Sequence, residues 1–199
     1  LVAGDKGLVG EKNFSILSAP GDMGEALLEK LKIPCDVVLC PKAHTSSAED
    51  TKLCAQIMKE QGVDLLVFCG GDGTARDIEA VGTDVTVLGI PAGVKMYSAC
   101  YACNPYQAGE MLAGWLEGKE MSYEMREVLD IEEKDLDSRN ISPQLYGFLE
   151  VLSDGKHLQK AKELDLGSGE SATIIARAAI LRMEKDWVYI IGPGGTTWK

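Results

Sequence analysis

The chain has 199 residues, 45% of them hydrophobic, with 22 Gly and 6 Cys, enough apolar material for one domain of generous size or two small ones. Its 20 Lys and Arg against 31 Asp and Glu leave a formal charge of −11, which argues against a surface built to neutralise nucleic-acid phosphates or anionic lipid. No run reaches the roughly 18 consecutive apolar residues of a membrane span, and Leu1 to Gly10 carries no signal-peptide pattern, so the expectation is a soluble, cytoplasmic protein without nucleic-acid or membrane partners.

In chain order, Phe14 to Leu17 reads as a short strand, followed by a helix opening with Asp22 and Glu25 at capping-box spacing. Cys35 to Leu39 is the next strand, and Ser46 with Glu49 repeats the capping-box spacing before a helix over Thr51 to Gln61. Leu65 to Cys69 is a buried strand, Thr74 to Ala80 a helix, Val85 to Gly89 a strand, and Asn104-Pro105 caps a helix running to Leu116. Alternation of short, fully apolar strands with helices requires a parallel sheet covered on both faces, so the fold class is doubly wound, largely parallel α/β.

After Gly118 the pattern changes. Glu124 to Ile131 and Gln144 to Leu152 read as extended segments, Ser153 to Gly169 as a polar, turn-rich and mobile stretch, Ala172 to Glu184 as a helix, and Val188 to Ile191 as a strand. The expected domains are therefore 1–118, a nucleotide-binding α/β domain, and 119–199, a smaller second segment. The last glycine loop ends at Lys199, where a helix is due, so a truncated chain is expected.

The 22 glycines are about 11% of the chain against a usual figure of about 7%, and they bunch after apolar runs. Gly70-Gly71-Asp72-Gly73-Thr74 lies between an expected strand and an expected helix, where glycines let bare backbone N–H groups approach phosphate and the helix start adds positive charge. Within it Asp72 is suited to hold Mg²⁺ or take the proton of an attacking hydroxyl, and Thr74 to cap the helix or bond phosphate. A tight turn in which Asp72 merely caps the helix is the plainer alternative. The string is neither a Walker A loop nor a complete G-x-G-x-x-G, since Arg76 stands where the third glycine belongs.

The residues Gly-Gly-Asp-Gly resemble the superfamily of NAD kinases, diacylglycerol and sphingosine kinases and 6-phosphofructokinases. Gly70 to Asp77 (GGDGTARD), Leu88 to Pro105 (LGIPAGVKMYSACYACNP), Pro20 to Glu25 (PGDMGE), Leu145 to Leu149 (LYGFL) and Gly192 to Thr197 (GPGGTT) together are similar to the ATP-NAD/AcoX kinase family over nearly the whole chain. The resemblance implies ATP-dependent phosphorylation of the ribose 2′-hydroxyl of NAD, with Mg²⁺, ATP and NAD as ligands and a homo-oligomer as the assembly. It implies Asp72 as the catalytic base and Gly70, Gly71, Gly73 and Thr74 as phosphate contacts. Gly93 would let backbone approach the nucleotide, and Lys95 is either a phosphate ligand or an ordinary exposed lysine. Gly194, Gly195, Thr196 and Thr197 stand where further substrate contacts belong, and Arg76 rather than Asp77 is the phosphate ligand of the first helical turn.

The Asn-Glu pair by which familiar NAD kinases grip the second ribose has no counterpart here, which leaves the acceptor open between NAD and another hydroxyl compound. The AcoX branch implies a third reading, a nucleotide-binding regulator without turnover. Cys100 and Cys103 read as part of a buried helix face rather than a zinc or redox pair, the six cysteines as reduced thiols, and Trp115 and Trp187 as packing residues.

Overall fold

Leu66-Val67-Phe68 and Val87-Leu88 have no polar face, and a strand of that kind is stable only inside a sheet covered on both sides. In a computed structural model, which describes residues 2–3, 14–40, 46–82, 84–93, 96–131, 143–159, 176–177 and 179–189, they form adjacent parallel strands of the main sheet. The elements in chain order are β1 (Val2–Ala3), β2 (Phe14–Ser15), β3 (Leu17–Ser18), α1 (Glu25–Lys30), β4 (Asp36–Val37) and α2 (Ala48–Glu60). They continue with β5 (Leu66–Gly70), α3 (Asp72–Glu79), β6 (Val87–Pro91), α4 (Pro105–Leu116), β7 (Ser122–Asp130) and β8 (Gln144–Ser153).

The main sheet has the order β5-β6-β8-β7. β5 pairs parallel with β6 and β6 parallel with β8, while β7 and β8 form an antiparallel pair with a register shift between Val128 and Leu129. Alternating residues divide between two cores. Leu66, Phe68, Val87, Leu149 and Val151 face one side and pack with Ala55 of α2 and with Ala75 and Ile78 of α3. Leu65, Leu88 and Leu152 face the other and pack with Ala108 and Met111 of α4. Side chains of this size, fully withdrawn from water, each stabilise the fold by about 1.5–3 kcal/mol. The doubly covered, mostly parallel α/β sheet is the expected class, and a smaller parallel pair, β3 with β4, packs on α2 through Ala19, Val38 and Cys54.

Helix ends follow local chemistry. Asn104 accepts from Gln107 N at 2.9 Å with Pro105 in the first turn, so α4 begins where the sequence indicates. The capping box of α2 sits one residue later than expected: Ser47 and Asp50 exchange the two bonds, since either serine has an acidic residue three positions on and only the helix register decides. Asp22 does not cap α1; Gly24 holds that position and the Glu25 carboxylate accepts from Gly21 N at 2.7 Å. Both α2 and α4 end on a glycine of positive φ, Gly62 (71°) and Gly118 (71°), which lets Val63 N and Lys119 N return to Met58 O and Gly114 O.

The chain forms two compact units, Leu1–Lys162 and Glu163–Lys199. The boundary read after Gly118 is not where they divide. β7 and β8 follow that glycine and pair with β6 inside the first unit's main sheet, because their apolar faces complete the same two cores. In the second unit, residues 176–177 and 179–180 are helical and the chain turns at Leu181 and Arg182. The helix read over Ala172 to Glu184 otherwise falls partly outside the described residues; Val188 and Tyr189 are not strand, and Ile190 and Ile191 lie outside them. Trp115 is partly buried against the α4 core, whereas Trp187 is 70% exposed and does not pack as expected.

Gly89 marks a close approach. A Cβ there would lie 2.6 Å from the Cys100 carbonyl oxygen and 2.6 Å from the Tyr101 ring. Gly89→Ala is expected to lose about 1–3 kcal/mol, read as a lowered midpoint of chemical denaturation with little change in slope.

Candidate functional site

β5 and β6 end level with each other, Gly70 opposite Pro91. The chain then leaves them in opposite directions, into α3 on one face and, through residues 97–104, into α4 on the other. Two connections departing to opposite sides open a crevice at the carboxyl ends of the strands, the place where such sheets hold their ligands. Both lips of this crevice are glycine turns. Ala92 N donates to Gly70 O at 3.0 Å, and a Cβ on Gly93 would lie 3.7 Å from Gly71 Cα.

The first lip is the start of α3, which begins at Asp72 rather than near Thr74. Gly71 O accepts from Thr74 N at 2.9 Å and from Ala75 N at 3.2 Å, closing the first turn. The N–H groups of Gly71, Asp72 and Gly73 have no acceptor among the described residues, and a Cβ on Gly71 would meet nothing within 4 Å. Donors left over at a helix start are groups suited to an anion. Gly70 is different: a Cβ there would run into Thr74, 2.6 Å from its Cβ, so this glycine is required by packing of the Thr74 side chain.

Asp72 is buried, with 8% of its surface exposed. It does not cap the helix. Its Oδ2 accepts from Tyr97 N at 2.7 Å and its Oδ1 from Ser98 N at 2.9 Å, so the carboxylate ties the first glycine turn to the segment that follows the second. A carboxylate has about four acceptor positions and two are used here, which leaves acceptor capacity on each oxygen.

That segment, 97–102, is buried yet neither helix nor regular strand, and several of its polar groups bond to residues distant in the chain. Ser98 Oγ donates to Leu129 O at 2.8 Å and accepts from Leu129 N at 3.0 Å, at the irregularity in β7. Ala99 N donates to Glu127 O, Ala102 N to Gly89 O, Cys103 N to His157 O and Gln159 N to Tyr101 O. Cys100 and Cys103 therefore do not share a helix face as expected: Cys100 is fully buried and Cys103 exposed. The competing hydrogen bonds to β7 and to residues 157–159 hold this stretch extended.

Burial, reinforced by the nearby Asp72 charge, pushes the Cys100 thiol up from an ordinary 9.0 to about 12. Native protein at pH 8 should thus be alkylated by iodoacetamide at Cys103 and Cys69, with Cys100 protected until unfolding; peptide mass mapping reads this directly. The sign for stability follows: the folded state favours the neutral thiol, so the contribution is intact below pH 9 and is lost as pH rises from there towards 12.

Arg76 lies one turn into α3, with its Nη1 2.8 Å from Asp130 Oδ2 and its guanidinium 5.4 Å from the Tyr146 ring centroid. It thereby fastens α3 to the ends of β7 and β8. Asp77, its neighbour, is buried and faces Lys52 of α2 at 3.8 Å. Asp72, Gly70, Gly71, Gly73, Thr74 and Gly93 are thus brought together at the crevice, with Arg76 at its flank. Lys95, Gly194, Gly195, Thr196 and Thr197 lie outside the described residues. The site residues that sequence reading passed over are Ser98 and the Tyr97 and Ser98 backbone donors; a bond between a carboxylate and a distant main-chain N–H leaves no mark in residue types.

Two glycine-containing loops thus meet at the ends of neighbouring parallel strands of an α/β sheet, with a carboxylate between them. The model of the ATP-NAD kinase N-terminal domain matches residues 8–120, more than half of the chain, and the chain belongs to that family. No curated protein matches the chain. Among the described residues no helix is long and apolar enough to cross a membrane.

Proposed function

We propose that the protein is an ATP-dependent kinase that phosphorylates the 2′-hydroxyl of NAD to give NADP, as the family membership suggests. The observation that carries the reading is the carboxylate of Asp72, fixed by two backbone bonds beside three N–H donors that have no acceptor among the described residues. The N–H groups of Gly71, Asp72 and Gly73 would hold phosphate, and the unused acceptor positions of Asp72 would receive the hydroxyl proton. The rate gain is then mostly positioning and charge neutralisation.

Mg²⁺ would accompany ATP. Such an ion takes its ligands mainly from substrate phosphates, water and one or two carboxylates. Asp72 is the carboxylate that would contact it, and the bound ion would neutralise phosphate charge. Arg76, Gly93, Lys95, Gly194, Gly195, Thr196 and Thr197 are proposed as further nucleotide contacts, Thr74 as a phosphate contact, and the enzyme as a cytoplasmic homo-oligomer.

A second reading, a nucleotide-binding regulator without turnover, draws support from the same carboxylate, since both its oxygens already serve the fold. ADP release from ATP separates the readings. NAD-dependent release is expected of the kinase, release that requires another alcohol would change the acceptor, and ATP binding without release would favour the regulator.

A further inference from the structure

Tyr101 is the largest fully buried side chain among the described residues. Its ring lies edge-on to Phe68, with centroids 5.4 Å apart at 64°, and fills the space that a side chain at Gly89 would take. At the far end its hydroxyl donates to Gly71 O at 2.6 Å. A buried phenol requires a hydrogen-bond partner, but this one reaches the backbone of the phosphate loop itself.

A trans peptide is planar, so its C=O and N–H point in opposite directions. The Gly71 carbonyl, which accepts from the Tyr101 hydroxyl as well as from Thr74 N and Ala75 N, therefore has the Asp72 N–H on its opposite side. Accepting a further bond at the carbonyl also polarises the peptide and strengthens its N–H as a donor. We infer that Tyr101 is a positioning residue of the phosphate loop, acting through the Gly71–Asp72 peptide to strengthen the Asp72 N–H as a donor to a bound polyphosphate; this rests on reading the loop as the phosphate site. Burial, followed by the Cys100 and Asp72 charges, holds the phenol above its ordinary range, so it remains an O–H donor at every working pH.

Tyr101→Phe isolates the effect. The ring and its packing remain, and Gly71 O keeps its two bonds from Thr74 N and Ala75 N, so no buried acceptor is stranded. Inorganic tripolyphosphate and MgATP are titrated calorimetrically into the wild-type and variant full chains, with thermal unfolding of both recorded and NADP formation assayed on the same wild-type sample. The expected result is an affinity for tripolyphosphate lower by about five- to tenfold, with the unfolding temperature nearly unchanged.

Equal affinity in the variant overturns the inference. So does affinity lost in step with unfolding temperature, or a variant that does not fold, because the hydroxyl then supports the fold at large. A wild type that binds no tripolyphosphate overturns it too. A wild type that binds tripolyphosphate but makes no NADP, with binding weakened by Tyr101→Phe, defeats the kinase reading and supports the role of Tyr101.

Discussion

Asp72→Asn is expected to lower NADP formation by about 10²- to 10⁴-fold, the usual contribution of a positioned acid or base, while ATP affinity changes by less than about threefold. A stability loss should accompany it. Asn offers one carbonyl oxygen and one NH₂, so whichever way it turns, a donor faces either Tyr97 N or Ser98 N, which the carboxylate satisfies at 2.7 and 2.9 Å. A stranded buried donor costs about 1–3 kcal/mol. The two effects separate by measurement: chemical denaturation gives the stability loss, titration gives ATP affinity, and initial rates give turnover. If ATP affinity falls as far as turnover does, Asp72 acts as a clamp between the two loops and not as a base.

Gly71→Ala should do the reverse of a packing mutation. The residue has φ −115° and ψ −169°, a conformation open to any L-residue, and a methyl there meets no atom within 4 Å. The fold should keep its stability or gain a few tenths of a kcal/mol from the stiffer unfolded chain. The methyl nonetheless stands in the open space through which a phosphate approaches the free N–H groups, so ATP affinity is expected to fall by about tenfold or more. Gly70→Ala makes the contrast one position earlier. Its methyl meets the Thr74 side chain, 2.6 Å from the Thr74 Cβ, and the expected result is about 1–3 kcal/mol of lost stability. Unchanged ATP binding in Gly71→Ala would remove these N–H groups from the account.

What could be read in the sequence was what composition and periodicity encode. Runs such as Leu65 to Phe68 read as buried strand, the glycines after them mark a close approach, and Asn104-Pro105 starts a helix by local chemistry alone. Of residues 70–74, read as a glycine loop before a helix, Asp72 to Thr74 already belong to the first turn of α3. Strand pairing was not legible. β8 lies beside β6, with β7 outside it, because apolar residues of β7 and β8 complete cores begun by α3 and α4, and no local signal announces that completion. The extended path of 97–102 was equally hidden, since Ser98 and Cys100 are held by partners about thirty residues away or by burial alone. The shifted capping box of α2 shows a further limit: Ser46 with Glu49 and Ser47 with Asp50 are equivalent patterns until the helix face is fixed by Cys54 and Ala55 in the core.

The proposed reaction is transfer of a phosphoryl group to NAD in the crevice between β5 and β6. It is tested most directly by incubating the full chain with NAD, Mg²⁺ and ATP labelled in its γ-phosphate, then locating the label by chromatography and mass spectrometry. Label recovered in the 2′-phosphate of NADP, and lost with Asp72→Asn, is the predicted result. Label remaining in ATP while ATP and NAD both bind would contradict the claim and leave a nucleotide-binding protein without turnover.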